Sequence, residues 1–147
     1  MKVLVLGLDQ TILKKTSLSF QRAEIYKKVL DKYFVLVPAA STEQVVISEG
    51  LQFFGFGGFL KIMKLVKIFF GAKKILQEEK FDVISTQDVY FLGFVGLILA
   101  RLFSIGLEIQ VHGWEKKGWG RLSLARFILK RANAIRVVSQ RLKKELI

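Results

Sequence analysis

Short runs of apolar residues alternate with longer amphipathic stretches along this chain, which is the pattern of strands alternating with helices. Strands are predicted at residues 2–6, 33–37, 83–86, 107–111 and 134–138, with a shorter one at 43–48. Several of these runs are apolar at nearly every position, as is typical of parallel strands that are covered on both faces.

Helices are predicted at residues 18–32, 59–80, 89–103 and 120–131, and a last helix follows Ser139, a favourable N-cap. In the second helix, Lys61, Lys64 and Lys67 fall on one side, while Ile62 and Val66 belong to an apolar side that we expect to pack on the sheet. The alternative is that this basic amphipathic helix lies in a membrane interface. The third helix is almost entirely apolar. It is shorter than the roughly 20 residues needed to cross a bilayer, so it is predicted to be buried.

Strands that alternate with helices favour parallel βαβ units with right-handed crossovers. We therefore predict one α/β domain over residues 1–147, a Rossmann-like three-layer α/β/α arrangement around a mainly parallel sheet of about six strands. In the strand order 3-2-1-4-5-6, the first and fourth strands are neighbours at the point where the order reverses.

The segment 50–58 is rich in glycine and phenylalanine, and it is predicted to be a flexible loop. Its side chains Phe53, Phe54 and Phe56 are candidates for contact with a membrane or with an acceptor. An alternative is that they cover a surface that another domain normally hides.

Composition narrows the possible functions. More than half of the 147 residues are apolar and only one is proline, so a folded domain is expected. Without cysteine and with a single histidine, the chain lacks the ligands of a usual zinc site; we expect neither a metal nor a cofactor. The start of the chain does not resemble a signal peptide, and a cytoplasmic protein is expected.

The net charge is +12, and most of the excess lies after residue 50. Such a charge suits an anionic lipid, a nucleic acid or an anionic substrate. A non-catalytic basic module for anionic lipid or nucleic acid is therefore the alternative function. No nucleic-acid motif is present, and a nucleic-acid partner is not expected.

Ligands of open α/β sheets bind beyond the carboxyl ends of the strands. The candidate binding residues are therefore those that end or follow the strands: Gly7, Asp9, Gln10, Thr86, Gln87, Asp88, His112, Gly113 and Ser139. Trp114 and Glu115 come next after Gly113. Structural roles stay open for Gly7 as a turn residue and for Asp88 and Ser139 as helix caps. Dinucleotide, P-loop and nucleophile-elbow motifs are absent from the sequence.

Two segments resemble glycosyltransferase family 4. Residues 81–113 are similar to the family's strand-helix-strand block that ends in His-Gly, here His112 and Gly113. Residues 132–146 resemble its Ala-Asp-Ala segment, strand and Val-Ser, with Asn133 at the acidic position. The opening of the chain also resembles the family's first βαβ unit.

This resemblance implies the N-terminal, acceptor-side half of a GT-B fold, in which two Rossmann-like domains enclose a cleft. It implies a retaining, metal-independent hexosyltransferase that uses a nucleotide-sugar and builds a cell-surface glycan or glycolipid. His112 would be the catalytic residue, near the donor sugar, while the loops after the first and fourth strands would line the cleft. The C-terminal donor domain is absent from these residues, so no transfer is expected from the chain alone. A lipid-linked acceptor would suit peripheral contact with the inner face of the plasma membrane.

Overall fold

The computed structural model describes residues 1–113 and 119–146. Within these residues seven strands form one sheet in the order β3-β4-β2-β1-β5-β6-β7, and among them only β3 runs antiparallel to its neighbour. The strands are β1 (Lys2–Leu6), β2 (Lys32–Pro38), β3 (Glu43–Ser48), β4 (Leu51–Phe56), β5 (Val83–Thr86), β6 (Gly106–Val111) and β7 (Ala134–Val137). The predicted Rossmann-like α/β/α class is confirmed, with one strand more than expected.

Helices cover both faces of the sheet. They are a 3-10 helix (Gln10–Leu13), α1 (Leu18–Lys27), α2 (Lys61–Glu78), α3 (Phe91–Phe103), α4 (Trp119–Leu129) and α5 (Gln140–Leu146). Helices α2, α3 and α4 bury their apolar residues against one face in the larger core, while α1 and the 3-10 helix close a smaller core on the other face. Right-handed crossovers account for this division, since β1 connects towards one edge of the sheet and the later units progress towards the other.

The prediction of a loop at residues 50–58 is wrong, because most of that segment is β4. Its side chains alternate between the two cores. Phe53 is completely buried beside Phe20 in the smaller core, with 5.4 Å between the ring centroids. Phe54 and Phe56 are half-buried on the other face, where Phe54 lies next to Phe34 and Phe56 fits beneath Gly71 of α2. These three phenylalanines are therefore part of the packed structure and form no exposed loop.

Strand β3 was correctly predicted as a strand, but its place in the sheet was not. A two-residue connection, Glu49–Gly50, turns the chain so that β4 and not β3 pairs with β2. Gly50 is required there because a Cβ atom would lie 2.5 Å from the carbonyl oxygen of Asp31. Strand β3 is consequently an antiparallel edge strand, and β4 takes the third parallel position.

The helices expose more apolar side chains than predicted. In α2 the sheet-facing residues are centred on Ile68, Ala72 and Leu76, whereas Ile62 and Val66 are exposed. Helix α3 was predicted to be buried, yet its outward face is also apolar and exposed. Helix α1 ends at Lys27, and Ile25 on its predicted core face is exposed as well.

Within the described residues, each helix is too short or too polar to cross a membrane.

A cluster of ion pairs ties the amino ends of the central strands to the end of α2. The ammonium groups of Lys2 and Lys32 lie 2.8 and 2.7 Å from the Oε1 atom of Glu79. Hydrogen bonds from Lys2 and then Lys32 outweigh the effect of burial and lower the pKa of Glu79 below its usual 4.5. The pairs thus stabilise the fold above the unfolded-state pKa, and their contribution is lost as the pH falls through the folded-state value.

Replacing Glu79 with glutamine is expected to lower the free energy of unfolding at neutral pH by roughly 1 kcal/mol or less, the usual range for accessible pairs. The difference from the wild type should shrink when urea unfolding is repeated in acid, below the usual glutamate pKa of 4.5. Glu78→Gln is the matched control, because this neighbour makes only a 4.0 Å contact with Lys74. A difference that stays constant between the two pH values would contradict the assignment.

Candidate functional site

The carboxyl ends of the parallel strands form one edge of the sheet, here called the carboxyl edge. Leu6 of β1 pairs with Thr86 of β5, and Thr86 pairs with Ile109 of β6. Strand β6 then continues for two residues, to Val111 beside Val137 of β7. The segments after β1, β5, β6 and β7 therefore begin at the same edge of the sheet.

Gly7 and Gln87 lie in contact where β1 and β5 end. The Gln87 amide donates to the carbonyl of Leu6 at 3.0 Å, and the Gly7 amide donates to that of Leu36 at 2.9 Å. A Cβ atom on Gly7 would lie 2.8 Å from Oε1 of Gln87. Close approach of the Gln87 side chain thus accounts for this glycine, and both residues contribute to the floor of the carboxyl edge.

Asp9 is a fixed carboxylate in the first loop. It caps the 3-10 helix by accepting from the amide of Thr11 at 3.0 Å and from its hydroxyl at 2.6 Å, and it also accepts from the hydroxyl of Ser19. Burial raises the pKa of Asp9, but the hydrogen bonds from Ser19 and Thr11 outweigh this effect and leave the pKa below 3.8. Asp9 is therefore ionised at neutral pH and can accept hydrogen bonds from ligand hydroxyls, but it is a poor proton donor. Gln10, the next residue, is exposed.

The turn after β5 is held by its own polar groups. The Thr86 hydroxyl donates to the carbonyl of Asp88 at 3.2 Å, and an Asp88 carboxylate oxygen accepts from the amide of Leu92 at 3.0 Å. Asp88 therefore caps the first turn of α3 while remaining only half-buried. Thr86 is completely buried, and its hydroxyl is engaged with the turn.

His112 and Gly113 follow β6 and are both exposed. Strand β6 extends beyond the end of β5. His112 therefore lies further out along the carboxyl edge than the residues that follow β5. Trp114 and Glu115 lie outside the described residues.

Ser139 is an exposed helix cap. Its hydroxyl accepts from the amide of Leu142 at 3.2 Å, in the first turn of α5. Ser139 therefore has the role of helix cap that the sequence left open.

Two features of the site were missed. The guanidinium of Arg121, near the start of α4, lies 4.6 Å from the ring centroid of Tyr90, so a cation stands beside the turn after β5. Helix α4 follows β6, so its amino end lies at the carboxyl edge. This position in the chain was the signal that could have identified Arg121.

The second missed feature is a polar row across β5, β6 and β7, on the face opposite α2. Ser85 donates to Glu108 at 2.6 Å and accepts from Gln110 at 2.7 Å, and Arg136 lies 3.4 Å from Glu108. Polar residues at every second position of β6 are the signal that this face is not part of an apolar core. These groups form hydrogen bonds and an ion pair with one another. The row therefore stabilises β6, which precedes His112, and its neighbours β5 and β7.

Asn133 has a structural role. Its side-chain carbonyl accepts from the amide of Leu107 at 2.8 Å, and its own amide donates to the carbonyl of Leu107 at 2.9 Å. The residue at the family's acidic position thus fixes the start of β7 beside β6.

A groove of about 560 Å³ lies elsewhere, between α2 and the β3-β4 edge of the sheet. Phe54 and Phe56 form part of its wall, and Lys32, Glu49 and Glu79 lie around it. None of the predicted carboxyl-edge residues lines this groove. In the described part of the chain, no three histidine or acidic side chains are grouped so that they could hold a metal ion.

Comparison with known proteins agrees with this geometry. The model of Glycosyltransferase Family 4 matches residues 34–147. No curated protein sequence matches the chain significantly. Among solved structures, UDP-GlcNAc 2-epimerase from Methanocaldococcus jannaschii is similar with a TM-score of 0.61 and 16% identity over 99% of this chain. MurG from Acinetobacter baumannii is similar with a TM-score of 0.51 and 14% identity over 95% of this chain. The chain spans 42% of the length of each, and at such identities the likeness shows the fold, one Rossmann-like half of GT-B.

Proposed function

Because the chain belongs to glycosyltransferase family 4, we propose that it is the acceptor-binding half of a retaining, metal-independent hexosyltransferase. The donor is a nucleotide-sugar, and the product is a cell-surface glycan or glycolipid. Fold alone would not carry this proposal, since related folds host different chemistries.

The observation that carries the proposal is the location of His112 and Gly113. They lie within the matched region, at the end of a central parallel strand, and both are exposed. Ligands of open α/β sheets bind at this edge. A glycine after the histidine leaves room for a ligand to approach the backbone. In this proposal His112 contacts the donor sugar at the reaction centre.

Neighbouring residues supply the chemistry of acceptor binding. Ionised Asp9 accepts hydrogen bonds from sugar hydroxyls, while Gln10 and Gln87 each offer an amide donor and acceptor. Asp88 caps α3 with one carboxylate oxygen, and its other oxygen lines the cleft. Arg121, on the same edge, adds positive charge for a phosphate-bearing ligand.

A second domain completes the enzyme in this proposal. The structural relatives are more than twice as long as this chain, which spans 42% of each. A donor-binding domain opposite the carboxyl edge would enclose the cleft. It would hold the nucleotide-sugar next to His112 and exclude water from the reaction centre.

Reconstitution tests the proposal. The chain would be mixed with, or fused to, the C-terminal donor-binding domain of a family 4 enzyme. Release of nucleoside diphosphate would be measured with UDP-glucose, UDP-N-acetylglucosamine or GDP-mannose and a polyprenyl phosphate acceptor. We expect release that requires both domains and the acceptor. Turnover by this chain alone, or none from a pair that co-purifies as a complex, would refute the proposal.

A further inference from the structure

Two adjacent helices present apolar side chains on the sides that face away from the sheet. Helices α2 and α3 pack side by side on the same face of the sheet. Their exposed apolar residues define the outer apolar face: Phe59, Leu60, Ile62, Met63, Val66 and Phe70 at α2, and Phe91, Phe94, Ile98 and Leu102 on α3.

The spacing of these residues shows that the face runs along α3 and along α2 as far as Phe70. Ile62, Val66 and Phe70 recur at intervals of four on α2 opposite the buried Ile68 and Ala72, and Phe59 precedes the helix. On α3, Phe91, Phe94, Ile98 and Leu102 recur at intervals of three and four and lie opposite Gly96 and Ala100. Both helices therefore present apolar side chains on the inner and the outer side, whereas a surface helix of a globular protein typically has one apolar stripe.

The size of the face exceeds what an isolated domain normally exposes. Phe59 is 94% exposed, Phe70 60% and Leu102 57%. Together the ten side chains present on the order of 1,000 Å² to solvent, whereas the largest apolar patch of a typical monomer is about 300–600 Å². Such a face marks a surface that another phase or molecule covers.

The charges around the outer apolar face identify what covers it. Of the five lysines of α2, Lys67, Lys73 and Lys74 flank the outer apolar face at helical spacing, and Lys61 and Lys64 lie towards the other side. The chain has no acidic residue between Glu49 and Glu78. It has none between Asp88 and Glu108, the segment that contains α3. A second copy related by a twofold axis would bring these lysines together and be repelled. An anionic lipid surface attracts them, by about 1 kcal/mol for each lysine near the membrane.

We propose that the outer apolar face of α2 and α3 binds an anionic membrane surface, with the phenylalanines entering the headgroup region and the lysines contacting lipid phosphates. Both helices begin at the carboxyl edge, because α2 follows β4 and α3 follows β5. The membrane would thus lie next to the site that contains Gln87 and Asp88. If the proposed function holds, this arrangement presents a lipid-linked acceptor to the cleft. The binding itself does not depend on sugar transfer.

Liposome co-sedimentation of the whole chain tests the proposal. Vesicles of phosphatidylcholine with phosphatidylglycerol are compared with vesicles of phosphatidylcholine alone. We expect binding to the anionic vesicles that weakens as salt is added. The double variant Phe59→Ser and Phe70→Ser should bind at least tenfold more weakly. The matched control is Ile25→Ser with Val29→Ser, two exposed apolar residues of the opposite layer, and it should bind like the wild type.

Two double variants test whether binding depends on the lysines of α2 or only on the total positive charge of the protein. Lys73→Gln with Lys74→Gln should weaken binding, while Lys14→Gln with Lys15→Gln, in the first loop, should not. Thermal melts verify that every variant is folded. Three results would overturn the proposal: no wild-type binding, equal loss in the Phe59/Phe70 and Ile25/Val29 variants, or a lipid-free dimer in sedimentation velocity that the Phe59/Phe70 variant abolishes. None of them bears on turnover by the reconstituted pair, so this proposal and the proposed function can fail separately.

Discussion

Replacing His112 with alanine is expected to reduce sugar transfer by the reconstituted pair about 100-fold or more, the usual cost of removing one hydrogen-bonding group from a reaction centre. The loss should appear mainly in kcat, because a group that contacts the reaction centre stabilises the transition state more than the bound substrate. Initial rates measured over a range of donor concentrations separate kcat from KM.

The fold should not depend on this side chain. His112 lies beyond the last paired residue of β6 and is exposed, so His112→Ala should melt at nearly the temperature of the wild type. Glu24→Ala, an exposed position on α1 in the opposite layer, serves as the control and should leave the rate unchanged. His112→Gln retains a donor and an acceptor and should recover part of the activity. Equal rates for the wild type and His112→Ala would remove His112 from the reaction centre.

The doubly covered strands were predictable from sequence to within a residue at each end. Strands β1 and β5 have the predicted bounds. Strand β2 is one residue longer at each end, and β6 and β7 differ by one residue at one end. Runs such as residues 2–6 are apolar at successive positions because both faces are buried, and that signal needs no knowledge of the partner strand.

Strand β4 was missed because the glycines and phenylalanines of residues 50–58 resemble a flexible loop. Gly55 is in the strand because Leu13, Ala39 and Glu43 all come close to it, and a Cβ atom would lie 2.9 Å from Leu13. Such a requirement comes from tertiary packing, which the local sequence does not contain. The order of β3 and β4 in the sheet is likewise a property of long-range pairing. The short Glu49–Gly50 connection was the one local signal of a hairpin.

The orientation of α2 and α3 could not be deduced from periodicity. When a helix has apolar residues on more than one side, their spacing no longer indicates which side faces the core. Ile62 and Val66 were consequently assigned to the sheet-facing side, although both are exposed and Ile68 is completely buried.

Part of the candidate site followed from topology alone. Parallel strands bring Asp9, Asp88 and His112 to one edge. The apolar runs that predict these strands also indicated which residues follow them. The use of each polar group did not follow, because it depends on side-chain torsions. The Thr86 hydroxyl could have faced a ligand or its own turn, and the structure shows the latter.

Replacing Phe53 with alanine should destabilise the protein by about 3–5 kcal/mol, the usual cost of removing a fully buried phenylalanine. Its ring is completely buried in the smaller core, against Phe20 of α1. An edge-to-face aromatic pair adds about 0.5–1.5 kcal/mol to the effect of apolar burial. Because this core is small, the neighbouring side chains have little freedom to fill the cavity.

Phe59→Ala is the matched control, since this phenylalanine lies six residues further along and is 94% exposed. Its removal should change the free energy of unfolding by less than about 0.5 kcal/mol, as is usual at exposed positions. Urea unfolding monitored by circular dichroism measures both changes. If residues 50–58 were an exposed loop, the two substitutions would have similarly small effects on stability. A large loss confined to Phe53→Ala separates the phenylalanine that holds β4 in the sheet from one that is free to meet a membrane.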